Sequence, residues 1–333
     1  EMQMKETFQK LLNTYGATGR EEKVADVIEE MIRPYVDEIH RDAMGNLIFH
    51  KKGNGPKIMF AAHMDSIGCI VTHIEKEGYL RFCKVGGLHA AELLSTPVRF
   101  KNGICGTFVK EEKAEFGKLK LDECYLDIGA RDEAQAREMV QIGDTAVYDT
   151  PTFSSGEKVI SPYLDNRVSC AILLQVLAKL PENCPNDLYF VFSTQEEVGL
   201  RGSKTAAYAI EPDYALAVDV TDVDDTPGTE RCGTVQLGRG AAIKLMDHSV
   251  ICHSDVVKEL DLTAQEQGIP VQRDILRAGG TDAGAIHVSR TGVKTGGVSV
   301  PCRYIHTPVE MVDLSDVQAC VELVLAFVEK KMS

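Results

Sequence analysis

Two adjacent carboxylates, Glu196 and Glu197, follow the apolar run Leu-Tyr-Phe-Val-Phe at 188–192 and the polar step Ser-Thr-Gln at 193–195. Charge at the rim of a core is costly unless it is paired or coordinates a metal. Successive strand side chains point to opposite faces, so the two carboxylates can differ in role, one holding a metal ion while the other moves protons. Matching groups recur at other strand ends. The run 57–62 leads into His63-Met64-Asp65, the run 215–218 ends in Asp219, and Val-Ser-Val at 298–300 leads through a short segment to His306. Asp165 lies in Leu164-Asp165-Asn166-Arg167, just before a helical stretch. In open α/β sheets, sites form beyond the carboxyl ends of the strands.

Taken singly, each has a plain structural role. Asp165 could cap a helix, His306 could sit in a loop, Asp219 could open a turn in the acidic run 219–225, and His63 could be a satisfied buried imidazole. Together, two His, two Asp and one Glu make five metal-competent groups. Nitrogen and oxygen donors suit Zn²⁺, Co²⁺ or Mn²⁺, and the lack of thiolates argues against a closed structural zinc site. Five ligands exceed the needs of one catalytic zinc but fit two ions that share a carboxylate, an arrangement that polarises a carbonyl and holds a hydroxide. His40, His50, His73, His89, His248, His253 and His287 read as surface or packing residues.

These groups need a frame. Helical spacing at 21–36, 168–180, 253–267 and 314–331 interleaves with short apolar strands at 46–50, 57–62, 188–193, 215–218 and 298–300. Such alternation predicts an α/β fold, a mixed sheet covered by helices on both faces. Between about 70 and 159 the texture changes to short alternating segments punctuated by glycines, with one helix near 134–140. We read 69–159 as a small β-rich domain inserted into a catalytic domain made of 1–68 and 160–333; the alternative is a β-extension of one domain.

Composition narrows the function. The 333 residues carry 44% apolar and 26% charged side chains, an ordinary globular balance. Formal net charge is −14, which repels phosphate backbones and makes nucleic acid an improbable partner. No apolar run approaches the ~20 residues of a membrane helix. The first residues read as an amphipathic helix rather than a signal peptide. Ten cysteines without a Cys-x-x-Cys pair read as reduced, mostly buried thiols of a cytoplasmic protein.

His63-Met64-Asp65, Leu164–Arg167, Gln195-Glu196-Glu197-Val198-Gly199, Val218-Asp219 and Ile305-His306-Thr307-Pro308 resemble the di-metal aminopeptidases of the tetrahedral type, the glutamyl or deblocking family. Gly279–Gly284 and Thr226-Pro227-Gly228 look like further stretches of it. The resemblance spans nearly the whole chain and implies a metalloaminopeptidase of short peptides. It implies that Asp165 bridges two divalent ions, with Zn²⁺ favoured, His63 and Asp219 on one and His306 and Glu197 on the other. Glu196 would be the general base toward the metal-bridging water and return its proton to the leaving amine, while Asp65 would orient His63. It also implies a homo-oligomer, a hollow dodecamer of dimers joined through the inserted domain. The substrate's first side chain is not assigned; Arg239 and Arg277 are candidates to favour Glu or Asp, or plain surface charges.

Rival functions have distinguishable marks. An N-acyl deacylase or carboxypeptidase of the same clan shares the metal order but often reads a substrate carboxylate with Arg. A glycosidase needs two carboxyls flanking a bond, without the interleaved histidines. A dead scaffold would lack a ligand or Glu196, and every position is filled.

Overall fold

The computed structural model describes residues 4–229 and 235–332. Met2 and Gln3 of the expected first helix, and Cys232, lie outside the described residues. The chain opens with helices α1 (Met4–Asn13) and α2 (Glu22–Ile32), then strands β1 (Glu38–Arg41), β2 (Leu47–Lys51) and β3 (Lys57–His63). Six strands follow: β4 (Gly68–Ile74), β5 (Leu80–Val85), β6 (Pro97–Phe100), β7 (Cys105–Lys110), β8 (Cys124–Asp127) and β9 (Thr145–Tyr148). They close into a small barrel in the order β4-β5-β8-β7-β6-β9, with α3 (Ala90–Leu93) and α4 (Glu133–Met139) in its connections. The chain then returns through β10 (Phe153–Ser155), β11 (Lys158–Ser161), α5 (Leu164–Ala178), β12 (Asp187–Ser193), α6 (Arg201–Ile210) and β13 (Tyr214–Asp222). It finishes with β14 (Ala241–Met246), α7 (Ser254–Gln267), β15 (Val271–Ile275), α8 (Ala283–Ile286), β16 (Lys294–Arg303), β17 (Glu310–Asp313) and α9 (Leu314–Glu329).

The expected α/β architecture is therefore observed: an eleven-stranded mixed sheet flanked by helices, plus a small β-barrel. Its centre, β12-β3-β13-β16, is parallel throughout. These strands are buried on both faces, which explains their continuous apolar runs. Parallel pairing also delivers their carboxyl ends to one edge. His63 pairs with Ser193 at the ends of β3 and β12.

Two strands are longer than their sequence pattern suggests. β13 continues past Asp219 to Asp222, paired with β16 throughout, so Asp219 lies inside a strand rather than at its end. It is nevertheless reachable, because pairing of β13 with β3 stops at Ala217–Ala61 and leaves its flank open beyond that point. β16 likewise runs on to Arg303.

Helix α5 carries apolar residues all round and is buried for most of its length, the mark of a central helix. Tyr163, not Asp165, holds its cap position, and Asp165 and Asn166 depart from helical dihedrals in the first turn. Arg167 pins this turn. Its fully buried guanidinium donates to the carbonyls of Met64 (2.8 Å), Leu11 (2.7 Å) and Thr14 (3.0 Å) and to Ser66 Oγ (2.9 Å). Gly16 has to be glycine here, since a Cβ would sit 2.5 Å from Arg167 Nη2. Among the described residues no helix is long and apolar enough to cross a membrane, and the nine described cysteines are all free, Cys83 and Cys105 exposed and the rest buried.

Candidate metal centre

The sheet edge brings all seven candidate residues together. His63 ends β3, Glu196 and Glu197 follow β12, Asp219 projects from β13, and His306 sits in the turn between β16 and β17. Asp165 enters from the first turn of α5, held by Asn166, whose amide donates to the Val218 carbonyl at 3.0 Å. Three groupings place ligand-type atoms within 4.8 Å of one another: His63, Asp165 and Asp219; Asp165, Glu197 and His306; and His63, Glu196 and Glu197. Asp165 belongs to two of them. Its Oδ1 lies 3.0 Å from His63 Nε2, and its Oδ2 lies 3.2 Å from His306 Nε2. Glu197 Oε2 is 3.1 Å from His306 Nε2, and Asp219 Oδ1 is 3.7 Å from His63 Nε2. Glu196 Oε2 stands off at 3.8 Å from the same nitrogen.

Asp65 works beneath this layer. Its backbone carbonyl lies 3.1 Å from His63 Nδ1, so the other ring nitrogen faces the cluster. Its buried carboxylate accepts the Glu196 amide (3.0 Å), the Glu197 amide (3.2 Å) and the Thr18 hydroxyl (2.9 Å).

Several participants escape sequence reasoning. Glu310 is buried and accepts the amides of His306 (2.8 Å) and Asp165 (2.9 Å). Its signal was faint: an acid opening a short strand four residues after His306. Asp282, inside the stretch 279–284, is buried with its Oδ2 accepting the Ser193 hydroxyl at 2.5 Å. Glu21 accepts the Gln195 amide at 3.1 Å, just upstream of the glutamate pair. His89 and His248, read from sequence as surface or packing residues, line the mouth of the cavity above the cluster. That cavity holds about 600 Å³. The barrel reaches into it: Gly87, after β5, packs so closely that a Cβ would sit 2.4 Å from His306 Nδ1. Arg239 and Arg277 are exposed, and neither lines the cavity.

The electrostatics are those of a site short of positive charge. Burial would push the His306 imidazole down, but Glu197 and Asp165 outweigh it and raise it to about 12. His63 is likewise raised well above its ordinary value against burial, by Glu196 and by its contacts with Asp165 and Asp65. Burial and neighbouring acids hold Asp219 and Glu197 above the usual carboxylate range. Burial would raise Asp165 too, but hydrogen bonds from His306 and His63 exceed that cost and hold it well below the range.

The donor set fits divalent cations. It is imidazole and carboxylate; the nearby thiol of Cys170 is pushed by burial to about 12 and offers no thiolate. Glu197 Oε1 is buried with no hydrogen-bond partner, an acceptor that a cation would satisfy.

The sequence from 45 to 323 matches the family model described as M42 glutamyl aminopeptidase. A putative aminopeptidase of Acetivibrio thermocellus is 46% identical over 326 residues, covering 98% of each chain. Among solved structures, the aminopeptidase APDkam598 of Desulfurococcus kamchatkensis superposes with a TM-score of 0.94 at 38% identity, covering 98% of this chain and 94% of that one. The TET1 peptidase of Pyrococcus horikoshii, described as assembling into a tetrahedron or a large octahedral shell, gives 0.90 at 32% identity, over 98% and 100%.

Proposed function

This chain belongs to the M42 glutamyl aminopeptidase family, hydrolases acting on peptide bonds, and from that premise we propose that it releases N-terminal residues from short peptides with two divalent ions and Glu196 as proton carrier. The observation that carries the reading is Asp165, whose two oxygens face two different histidines at 3.0 and 3.2 Å, as a bridging ligand requires. His63 and Asp219 complete one set, His306 and Glu197 the other. The donor set favours Zn²⁺, with Co²⁺ or Mn²⁺ acceptable. When bound, such a pair polarises the scissile carbonyl and makes a water acidic enough to serve as nucleophile near neutral pH.

The chain's own groups supply the proton traffic. Glu196 lies beside the ligands without belonging to either set. Burial and the charges of Asp219, Glu197 and Asp282 raise its proton affinity well above that of an ordinary glutamate, against the pull of His63. A carboxylate so tuned can take a proton from the attacking water and hand it to the leaving amine, a role worth ~10²–10⁴-fold in rate. Asp65 fixes the His63 ring and the backbone of both glutamates. Glu196 and Asp219 also offer negative charge to the free α-ammonium that marks a peptide's first residue.

Assembly is part of the proposal: a homo-oligomer built from dimers, up to a dodecamer, with 69–159 as the dimerising domain. Support comes from the assemblies of the similar TET1 peptidase and from Phe116 and Ile142, large apolar side chains exposed in the barrel segment. The free thiols support a cytoplasmic location.

The decisive experiment is release of the first residue from aminoacyl p-nitroanilides by chelator-stripped protein reconstituted with Zn²⁺ or Co²⁺. Release should depend on metal and vanish in Glu196→Gln. No release from any substrate, with metal bound, would move an N-acyl deacylase to the front.

A further inference from the structure

The proposed chemistry leaves open which first side chain the enzyme prefers, and the charges around the cavity bear on it. Among the described residues the lining holds five carboxylates, Asp165, Glu196, Glu197, Asp219 and Asp222, and no lysine or arginine. Four of the five have a metal or proton role in the proposed mechanism. Asp222 has none. It stands three positions beyond Asp219, where β13 ends at the rim, and among the described residues no hydrogen bond or ion pair engages its carboxylate.

Among the described residues, the neighbouring strands send no free cation there. Lys244 of β14 is buried against Asp274 at 2.7 Å, and Arg303 of β16 is held by Asp225 at 2.7 Å. Arg277 is exposed, although Leu276 and Ala278 on either side of it do line the cavity. Leu200 and Ile305 continue an apolar wall, and about 600 Å³ leaves room for a long side chain.

An acidic side chain entering this space would lose water against like charges and meet no lysine or arginine, with only the imidazoles of His89 and His248 at the mouth to receive it. An alkyl chain would lose little, and an ammonium or guanidinium would gain Asp222. We propose that the cavity selects peptides whose N-terminal side chain is apolar or cationic and rejects acidic ones, with Asp222 as the residue that sets the charge preference. This deepens the aminopeptidase reading and rests on it.

The experiment compares kcat/KM for Leu, Lys, Arg, Glu and Asp p-nitroanilides in the metal-loaded 333-residue chain and its Asp222→Asn and Asp222→Glu variants, at low and high NaCl. Leu, Lys and Arg should exceed Glu and Asp by about tenfold or more. Asp222→Asn should lower the Lys-to-Leu ratio about two- to fivefold, the scale of one partly exposed ion pair, and Asp222→Glu should retain it. Salt should erode the Lys advantage in the wild type and not in Asp222→Asn. A preference for Glu or Asp would overturn the proposal, and its loss in Arg277→Ala would name Arg277 as the selector instead. A Lys-to-Leu ratio untouched by Asp222→Asn would overturn the part given to Asp222. Release from no substrate defeats the aminopeptidase reading together with this one, an outcome distinct from release with the opposite charge preference.

Discussion

The Asp65 carboxylate accepts the backbone amide of Glu196 at 3.0 Å, so the residue beside one ligand candidate anchors the main chain of the proposed base, 131 positions away. Glu310 does the same for Asp165 and His306 from the opposite side. Two buried acidic side chains thus hold, through hydrogen bonds, the backbone of four groups that must converge within a few ångströms.

Asp65→Asn should show what that anchoring is worth. The variant keeps one acceptor oxygen but loses the charge and the second acceptor. Metal affinity or kcat/KM should fall about 10- to 100-fold, the usual cost of disturbing a group that orients a ligand. Steady-state kinetics with metal quantification checks this, and unchanged values for both would contradict the role.

Glu310→Gln leaves one of its two amide partners without an acceptor. Because those amides belong to Asp165 and His306, the proposed His306–Glu197 ion should weaken more than the one at His63. Calorimetric titration of Zn²⁺ should resolve two affinities with one of them lowered about tenfold; an equal loss at both, or none, would count against a local role.

Metal removal should be linked to protons. In the metal-free protein the His306 imidazole is raised to about 12, since Glu197 and Asp165 outweigh burial. A raised histidine contributes stability that is full below its unfolded value, ~6.5, and is lost as pH rises through the folded value. The metal-free chain should therefore lose stability between pH 7 and 12, and an ion must displace this proton to bind. Titrations in buffers of different ionisation heat should show proton release and tighter binding at higher pH. Release of no proton at pH 7 would rule this linkage out.

Glu21 gives a second pH experiment, at lower pH and away from the ligand candidates. Burial, and then the charge of Asp65, raise its carboxyl from 4.5 to about 7, against the amide hydrogen bonds it accepts. The folded state keeps a proton that the unfolded chain has lost, so this contribution is full below 4.5 and disappears as pH rises through about 7. Glu21→Gln, with no charge to bury, should gain on the wild type between pH 5 and 8, by at most a few kcal/mol at about 1.4 kcal/mol per pKa unit. Melting curves at both pH values decide it; parallel shifts at pH 5 and pH 8 would refute the linkage.

Much of this site was legible in the chain because parallel strands buried on both faces must be continuous apolar runs, and a polar ligand can follow only where such a run stops. His63 after 57–62 and Glu196-Glu197 after 188–193 are readable for that reason, as is the change of texture where the barrel begins. The same logic puts Asp219 at a strand end, yet it lies within β13 and is buried, its flank left open where pairing with β3 stops at Ala61. Register between strands more than a hundred residues apart decides that, and no local pattern carries it. Glu310, Asp282 and Glu21 were missed because an acid's burial and its backbone partners exist only after the chain has closed around it. His89 and His248 reach the cavity mouth, and Arg239 and Arg277 do not, for the same reason. Local periodicity determined which elements form and where their polar ends fall; tertiary packing alone decided which of those ends meet, which carboxylates hold the others in place, and which charge is left facing the substrate.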